Sequence, residues 1–490
     1  MGVKIGHQFI RDFLGGMVTE ASDFRTPDNA MRLIQNMDTD VVGALRVRKG
    51  NTAIGNQVQD NKNCLGLYNF RDSGTGSNNR QITAFNNSGD TNATLYYNAS
   101  GTWTVITGAT SFTASAKFRF ATFTDLVFIV NSKFDEPKTW DGDSAATLGT
   151  TQLSSAPAGQ FISVFKSRVY IASTSTRPDR VFFSSIISST GNITWTSTDY
   201  LDVNPSDGQN ITGLANNGTL LLIFKDRAMY RWNGGATDPD LVVDVGCSSQ
   251  ESIANRNGKT YFFNPYGIYV TTGGFPQLIS KEIQRWVDAI AGTYYSSVAG
   301  ACDDDHYYCS IGDVTVDGVL FSNVVLTYEI SSETWTVRTY PEQVRLFANY
   351  IESDNTANIM IGNDDGDVQR LNYGSTDDGV VIPYRIRTKR LDFTGGSFAF
   401  EKMFSEVWIF GSQLVGATVS VFTDEDSRPN NIMETLKKWW GYANGLKYQG
   451  RWFVFEVFGQ SRDGQGELFG LEIDSPSLEG KGTNKSTYVG

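Results

Sequence analysis

The feature that most constrains this chain is a sentence of sequence that repeats between about residues 161 and 275. It reads KSRVYIAS…DRVFFSS…ITW, then GTLLLIFKDRAMYRWNGG, then GKTYFFNPYGIYVTTGGF. Each copy is an apolar run of four or five residues, a polar turn, a second apolar run, and a Trp or Gly-Gly stop. The runs are too short for ordinary helices, and β-branched and aromatic residues dominate most copies, so each predicts a β-hairpin. Hairpins at a near-fixed period predict a repeat architecture, in which each unit buries its apolar faces against its neighbours.

Hairpins of this texture begin near Gln81, Asp125, Ser167, Gly218, Gly258, Asp305 and Asn358, roughly 40 to 53 residues apart. That is the length of a four-stranded propeller blade. The expected fold is all-β. Residues 1–60 would form an N-terminal arm and propeller-closing strand, 61–375 a β-propeller of about seven blades, and 376–490 a C-terminal antiparallel β-sandwich with a loose tail. The 13% aromatic content, with 49 Gly against 12 Pro, fits many strands joined by tight turns. Trp103, Trp140, Trp195, Trp232 and Trp335 fall near strand ends at comparable points, which predicts Trp wedged between blades. The sharper reading is a sugar-stacking site.

Inside the arm, Asp28 and the run 30–34 read as a short helical turn. Residues 43–50 alternate Leu45 and Val47 with Arg46 and Arg48, as a half-buried strand does, and this strand is expected to complete the last blade. Arg46, Arg48 and Lys49 then lie on a solvated face or meet an acidic partner. Past residue 376, strand candidates run over 380–393, 401–410, 417–422, 450–458 and 467–473. In the first of them Arg385, Arg387 and Lys389 share one face, a second candidate partner contact. One helix is predicted over 279–290, with Ile279, Ile283, Trp286, Val287 and Ile290 on one stripe, Ser280 as N-cap and Gly292 as stop. It reads as a cap on the propeller or a docking element.

The formal charge of -12 makes general adhesion to nucleic acid or an anionic membrane a poor expectation. It is compatible with a channel through which a polyanion slides. No run approaches the roughly 18 to 20 apolar residues of a membrane span. The first 16 residues do not read as a secretory signal, and Gly6 stands where myristoylation wants Ser or Thr. Cys64, Cys247, Cys302 and Cys309 are scattered and predict reduced thiols and intracellular synthesis.

Motifs for chemistry are sparse. His7 and His306 are the only histidines, too few for a multi-His metal site and unpromising for a His-based triad. Cys302, His306 and Cys309 suggest zinc, but a strand over 305–311 sends His306 and Cys309 to opposite faces. The 363–367 run resembles part of a calcium loop, yet Ile361 and Asn372 occupy positions that need acids. Gly464, Gly466 and Gly470 miss the dinucleotide spacing by one residue. No catalytic residue, cofactor or metal is expected. A propeller glycosidase, whose acids come from distant blades, stays open as an alternative, as does a carbohydrate-binding propeller.

The order of phrases resembles the β-propeller tail-hub and nozzle proteins found beneath the portal of short-tailed bacteriophages. The matching phrases are FLGG, PDNAMRLIQNMDTDVVGALRVRKG, DGQNITGLANNGTLLLIFKDRAMYRWNG, VGCSSQESIANRNGKTYFFNPYGIYVTTGG, NDDGDVQRLNYGSTDDG and IPYRIRTKRLDF. They span about residues 13 to 393 in consistent order. The resemblance implies a virion structural protein, assembled in the host cytoplasm as a ring around the DNA channel, often of six copies. Its implied partners are itself, the portal or an adaptor, other tail proteins, and genomic DNA passing without sequence-specific binding. It implies no catalytic residues and no membrane anchor.

Overall fold

The computed structural model describes residues 8–478, apart from 24, 40–41, 74–77, 190, 206, 236, 352–355, 393–400, 405, 415, 425–429, 434–439, 444–447, 462–465, 475–476. The reading of the first seven residues therefore lies outside the described residues, as does most of the tail after 476. The chain divides into two compact units. One is Asn51–Glu333 with Thr339–Tyr373; the other is Met1–Gly50, Thr334–Arg338 and Gly374–Gly490.

The first unit is a seven-bladed β-propeller. Its antiparallel blades open with the strands Cys64–Phe70, Arg119–Phe123, Gly159–Phe165, Ile211–Asn216, Ala254–Arg256, Ala299–Cys302 and Leu346–Ile351. Each opening strand touches the next around the ring, the step from the fourth blade to the fifth passing through the 3-10 turn Gln250–Ser252. Leu346–Ile351 returns to touch Cys64–Phe70, so the ring closes on itself. The last blade, Leu346–Ile351, Ala357–Gly362 and Val368–Arg370, takes its outer strand from Thr52–Ala53, with Ala53 opposite Gln369. Closing a ring with a strand from the other end of the propeller sequence removes two sheet edges.

Local chemistry makes the blades. Among the described residues five hairpins turn on two residues that both hold positive φ: Ser100-Gly101, Thr124-Asp125, Lys166-Ser167, Asn257-Gly258 and Asp317-Gly318. Such turns match the right-handed twist of the strands they join. The apolar faces then pack blade against blade. Trp232 lies against Phe165, Tyr170 and Phe183 of the preceding blade and donates Nε1–H to the Thr237 carbonyl at 2.8 Å. Trp103 donates to the Ile54 carbonyl at 2.7 Å, beside the closing strand. Trp140 and Trp195 are also buried between blades, whereas Trp335 is fully buried in the other unit.

The other unit is a β-sandwich. One sheet runs Thr334–Thr339, Met31–Gln35, Ile382–Thr388, Phe453–Ser461, Thr418–Thr423, Asn430–Met433. The second runs Met37–Thr39, Leu45–Val47, Glu467–Asp474, Glu406–Ser412, Trp440–Ala443, and Gln8–Ile10 also pairs with Glu467–Asp474. Its core holds N-terminal Phe13, Ile34 and Leu45 beside C-terminal Ile386, Val419 and Phe455. Two close approaches require glycine. Gly16, at φ 60°, is pressed on Thr334, and a Cβ on Gly50 would meet the Thr376 carbonyl oxygen at 1.9 Å.

Three expectations are corrected. The described residues from Gln8 to Gly50 are not an arm: they supply strands to the sandwich, and the strand carrying Arg46 pairs with Met37–Thr39 and Leu468 instead of closing the propeller. That closure belongs to the two residues after Asn51, because Gly50 turns the chain away beside Thr376. The expected helical turn at 30–34 is the strand Met31–Gln35, held by antiparallel pairing to Ile382–Thr388. The helix over 279–290 is shorter, a 3-10 turn Lys281–Ile283 followed by Gln284–Asp288. Ile283, Trp286, Val287 and Ile290 are buried as predicted, but Ser280 accepts from the Ile268 N–H instead of capping, and Gly292 begins another 3-10 turn.

Candidate functional site

The six cations singled out in the sequence all lie in the sandwich. Arg48 is 1% exposed and grips Asp377 with two N–H groups, at 2.8 and 2.6 Å, while its Nε donates to Asn36 at 2.9 Å. Lys389 is buried too, donating to the Thr26 carbonyl and pairing with Asp28 at 2.7 Å. A buried cation meets no partner, so the contact role expected of Arg48 and Lys389 is withdrawn. The reason is that the strand alternation fails at Arg48, where the chain leaves its strand after Val47. Arg387 pairs with buried Glu456 at 2.5 Å, and Arg385 approaches the same carboxylate at 3.6 Å. Arg46 pairs with Glu467 at 2.7 Å on the surface, and Lys49 is exposed.

A different site emerges in the propeller. A cleft of about 550 Å³ opens where the inner strands of the second to fifth blades begin. Its floor is an ion cluster assembled from two distant blades. Glu251, in the 3-10 turn before the fifth blade, receives Arg119 on Oε1 at 2.7 and 2.9 Å and Lys117 on Oε2 at 3.0 Å. Ser249 Oγ donates to Oε2 at 3.1 Å. Arg119 also donates to the Gln160 carbonyl and lies 4.6 Å over the Phe161 ring, which ties in the third blade. Gln250 bonds both the N–H and the carbonyl of Leu214 in the fourth.

Burial opposes ionisation of Glu251, but Arg119 and Lys117 outweigh it and hold the carboxyl down at about 2. With both oxygens engaged, Glu251 is a brace. Asp226, at the cleft edge, moves the other way: burial raises it, with Arg227 opposing. Sequence reasoning missed Lys117, Arg119 and Glu251, the last more than 130 positions from the other two. The signal available was phase: all three sit at or just before the first strand of a blade.

Among the described residues no group of three or more His, Cys, Asp and Glu is arranged to hold a metal. His306 faces Asp303 at 3.5 Å, and the four cysteines are free and buried. No helix among the described residues is long and apolar enough to cross a membrane.

No family model and no curated protein matches the chain. Solved structures similar to it include YCF48 bound to D1 peptide, with TM-score 0.41 and 11% identity over 65% of this chain and 94% of that one. A chain from the crystal structure of the mitotic checkpoint complex gives TM-score 0.38 and 11% identity over 66% of this chain and 94% of that one.

Proposed function

We propose that the chain is a structural protein of a bacteriophage tail or neck, built into a ring around the DNA channel below the portal. The observation that carries this reading is the ordered set of sequence phrases resembling tail-hub and nozzle proteins. The reading gains support from where those phrases lie. FLGG supplies buried Phe13 and the left-handed Gly16, and the phrase around Met31–Gln35 pairs with the phrase around Ile382–Thr388, more than half the chain away. Phrases that match at opposite ends of a sequence and then form one sheet behave as one architectural element.

In this role the protein needs no catalytic residue and no cofactor. A seven-bladed propeller and a sandwich knitted from both ends of the chain provide rigid blocks for a wall. A surface with excess acid gives duplex DNA few cations to hold, since each phosphate contact adds salt-dependent affinity. The protein resides in the virion after assembly in the host cytoplasm. The test is co-expression with portal protein from the same genome, followed by affinity capture of the portal. Stoichiometric recovery of the chain on portal rings supports the role, and its absence from the captured rings opposes it.

A further inference from the structure

The propeller cleft carries features that a structural brace does not need. Asn131 lines it, is 2% exposed, and has no hydrogen-bond partner for Oδ1; its Nδ2 makes only a long 3.4 Å bond to the Ala116 carbonyl. Thr212, also in the wall, holds Oγ1 buried and unpartnered. Polar atoms kept from water in this way cost free energy until something pairs with them.

Next to Asn131 on the same loop stand a charge and a platform. Lys133 is half-buried, and among the described residues no carboxylate lies within ion-pair distance of it. Phe134, 79% exposed, follows at the rim. The cleft therefore has three cations, Lys117, Arg119 and Lys133, against two carboxylates, and Glu251 is already committed to two of the cations. In a chain of net charge -12 the lining thus carries one cation in excess, and hydroxyl and amide side chains make up much of the remaining wall.

The geometry points to an anionic saccharide, a sugar ring bearing a carboxylate, as the ligand of this cleft. Sugar hydroxyls both donate and accept, which suits a wall that holds both an orphaned amide oxygen and an orphaned hydroxyl. The carboxylate answers Lys133, and the apolar face of the ring lies on Phe134, the usual division of labour in a ligand site. An acidic peptide satisfies the charge but brings few hydroxyls. The site lies wholly within the propeller, and its assignment is independent of the proposed ring.

The test is calorimetric titration of the full-length protein with a galacturonate oligomer, a neutral glucose oligomer of equal length, and a glutamate-rich peptide. The expected result is binding of the galacturonate oligomer, weaker at about 500 mM salt than at about 50 mM, because screening acts on the charge. The glucose oligomer binds at least about tenfold more weakly, the worth of one charge-assisted contact. Lys133→Ala weakens galacturonate binding by about the same factor with an unchanged melting temperature. Phe134→Ala, at an exposed position, weakens it too. Equal affinity for the neutral oligomer, tighter binding of the peptide, wild-type affinity in both variants, or no binding at millimolar ligand each overturns the assignment.

Discussion

Arg48 and Asp377 stand 329 positions apart in the chain and face each other in a buried two-pronged ion pair, at 2.8 and 2.6 Å. The pair fastens the end of the N-terminal segment to the start of the C-terminal segment inside the sandwich. Removing one partner leaves the other charge without compensation in a dry site. Arg48→Ala and Asp377→Ala are each expected to destabilise the sandwich by about 3 to 5 kcal/mol. Arg48→Met with Asp377→Leu should recover most of the loss. Urea unfolding of the three variants checks this.

The Glu456 carboxylate is the partner of Arg387 and Arg385, so reversing those arginines acts first on folding. Arg387→Glu, at a half-buried position, sets a second carboxylate against buried Glu456 and leaves that group unpaired, with an expected cost of about 3 kcal/mol. Arg387→Glu combined with Glu456→Arg restores the pairing and should regain more than half of that loss. A melting series of the single and double variants decides the point. Equal melting of Arg387→Glu and wild type would remove the pair from the account.

Glu251 predicts an acid-sensitive propeller. Its folded value of about 2 lies below the ordinary 4.5. A depressed carboxyl contributes stability that is fully present above 4.5 and is lost as pH falls toward 2. The shift corresponds to about 3 kcal/mol. Glu251→Gln should lose stability at pH 7 and show a flatter dependence between pH 4.5 and 2 than the wild type. Denaturant melts at closely spaced pH values measure it.

Trp232 fills the space between the third and fourth blades. Its replacement by Ala is expected to cost about 3 to 5 kcal/mol, as aromatic truncations in a core do. Trp232→Phe should cost less, since it keeps the ring packing and loses chiefly the bond to the Thr237 carbonyl. Thermal melting of both variants provides the comparison. A normal melt for Trp232→Ala would mean that the ring is not part of the core.

The blades were legible because each one is local. Hairpins such as the one turning at Lys166-Ser167 write their apolar runs and their turn within twenty residues. The sandwich was less legible, since its pairings span the chain. Met31–Gln35 buries Met31, Leu33 and Ile34 in a pattern without strict alternation, and the partner that makes it a strand lies near residue 385. A bulge between Met31 and Leu33 further breaks the period. Arg48 read as a surface cation because its counter-ion is out of sight of any local window. The cleft was illegible for the same reason: Glu251 finds Lys117 and Arg119 only after the third and fourth blades have been stacked between them.

The proposed role requires that copies of this chain close into a ring. Mass photometry of the purified protein, alone and with portal rings from the same genome, tests it most directly. A ring-forming chain gives closed assemblies whose mass is an integer multiple of the 54.0 kDa chain, present alone or on the portal. Only 54.0 kDa monomers in both conditions would contradict it.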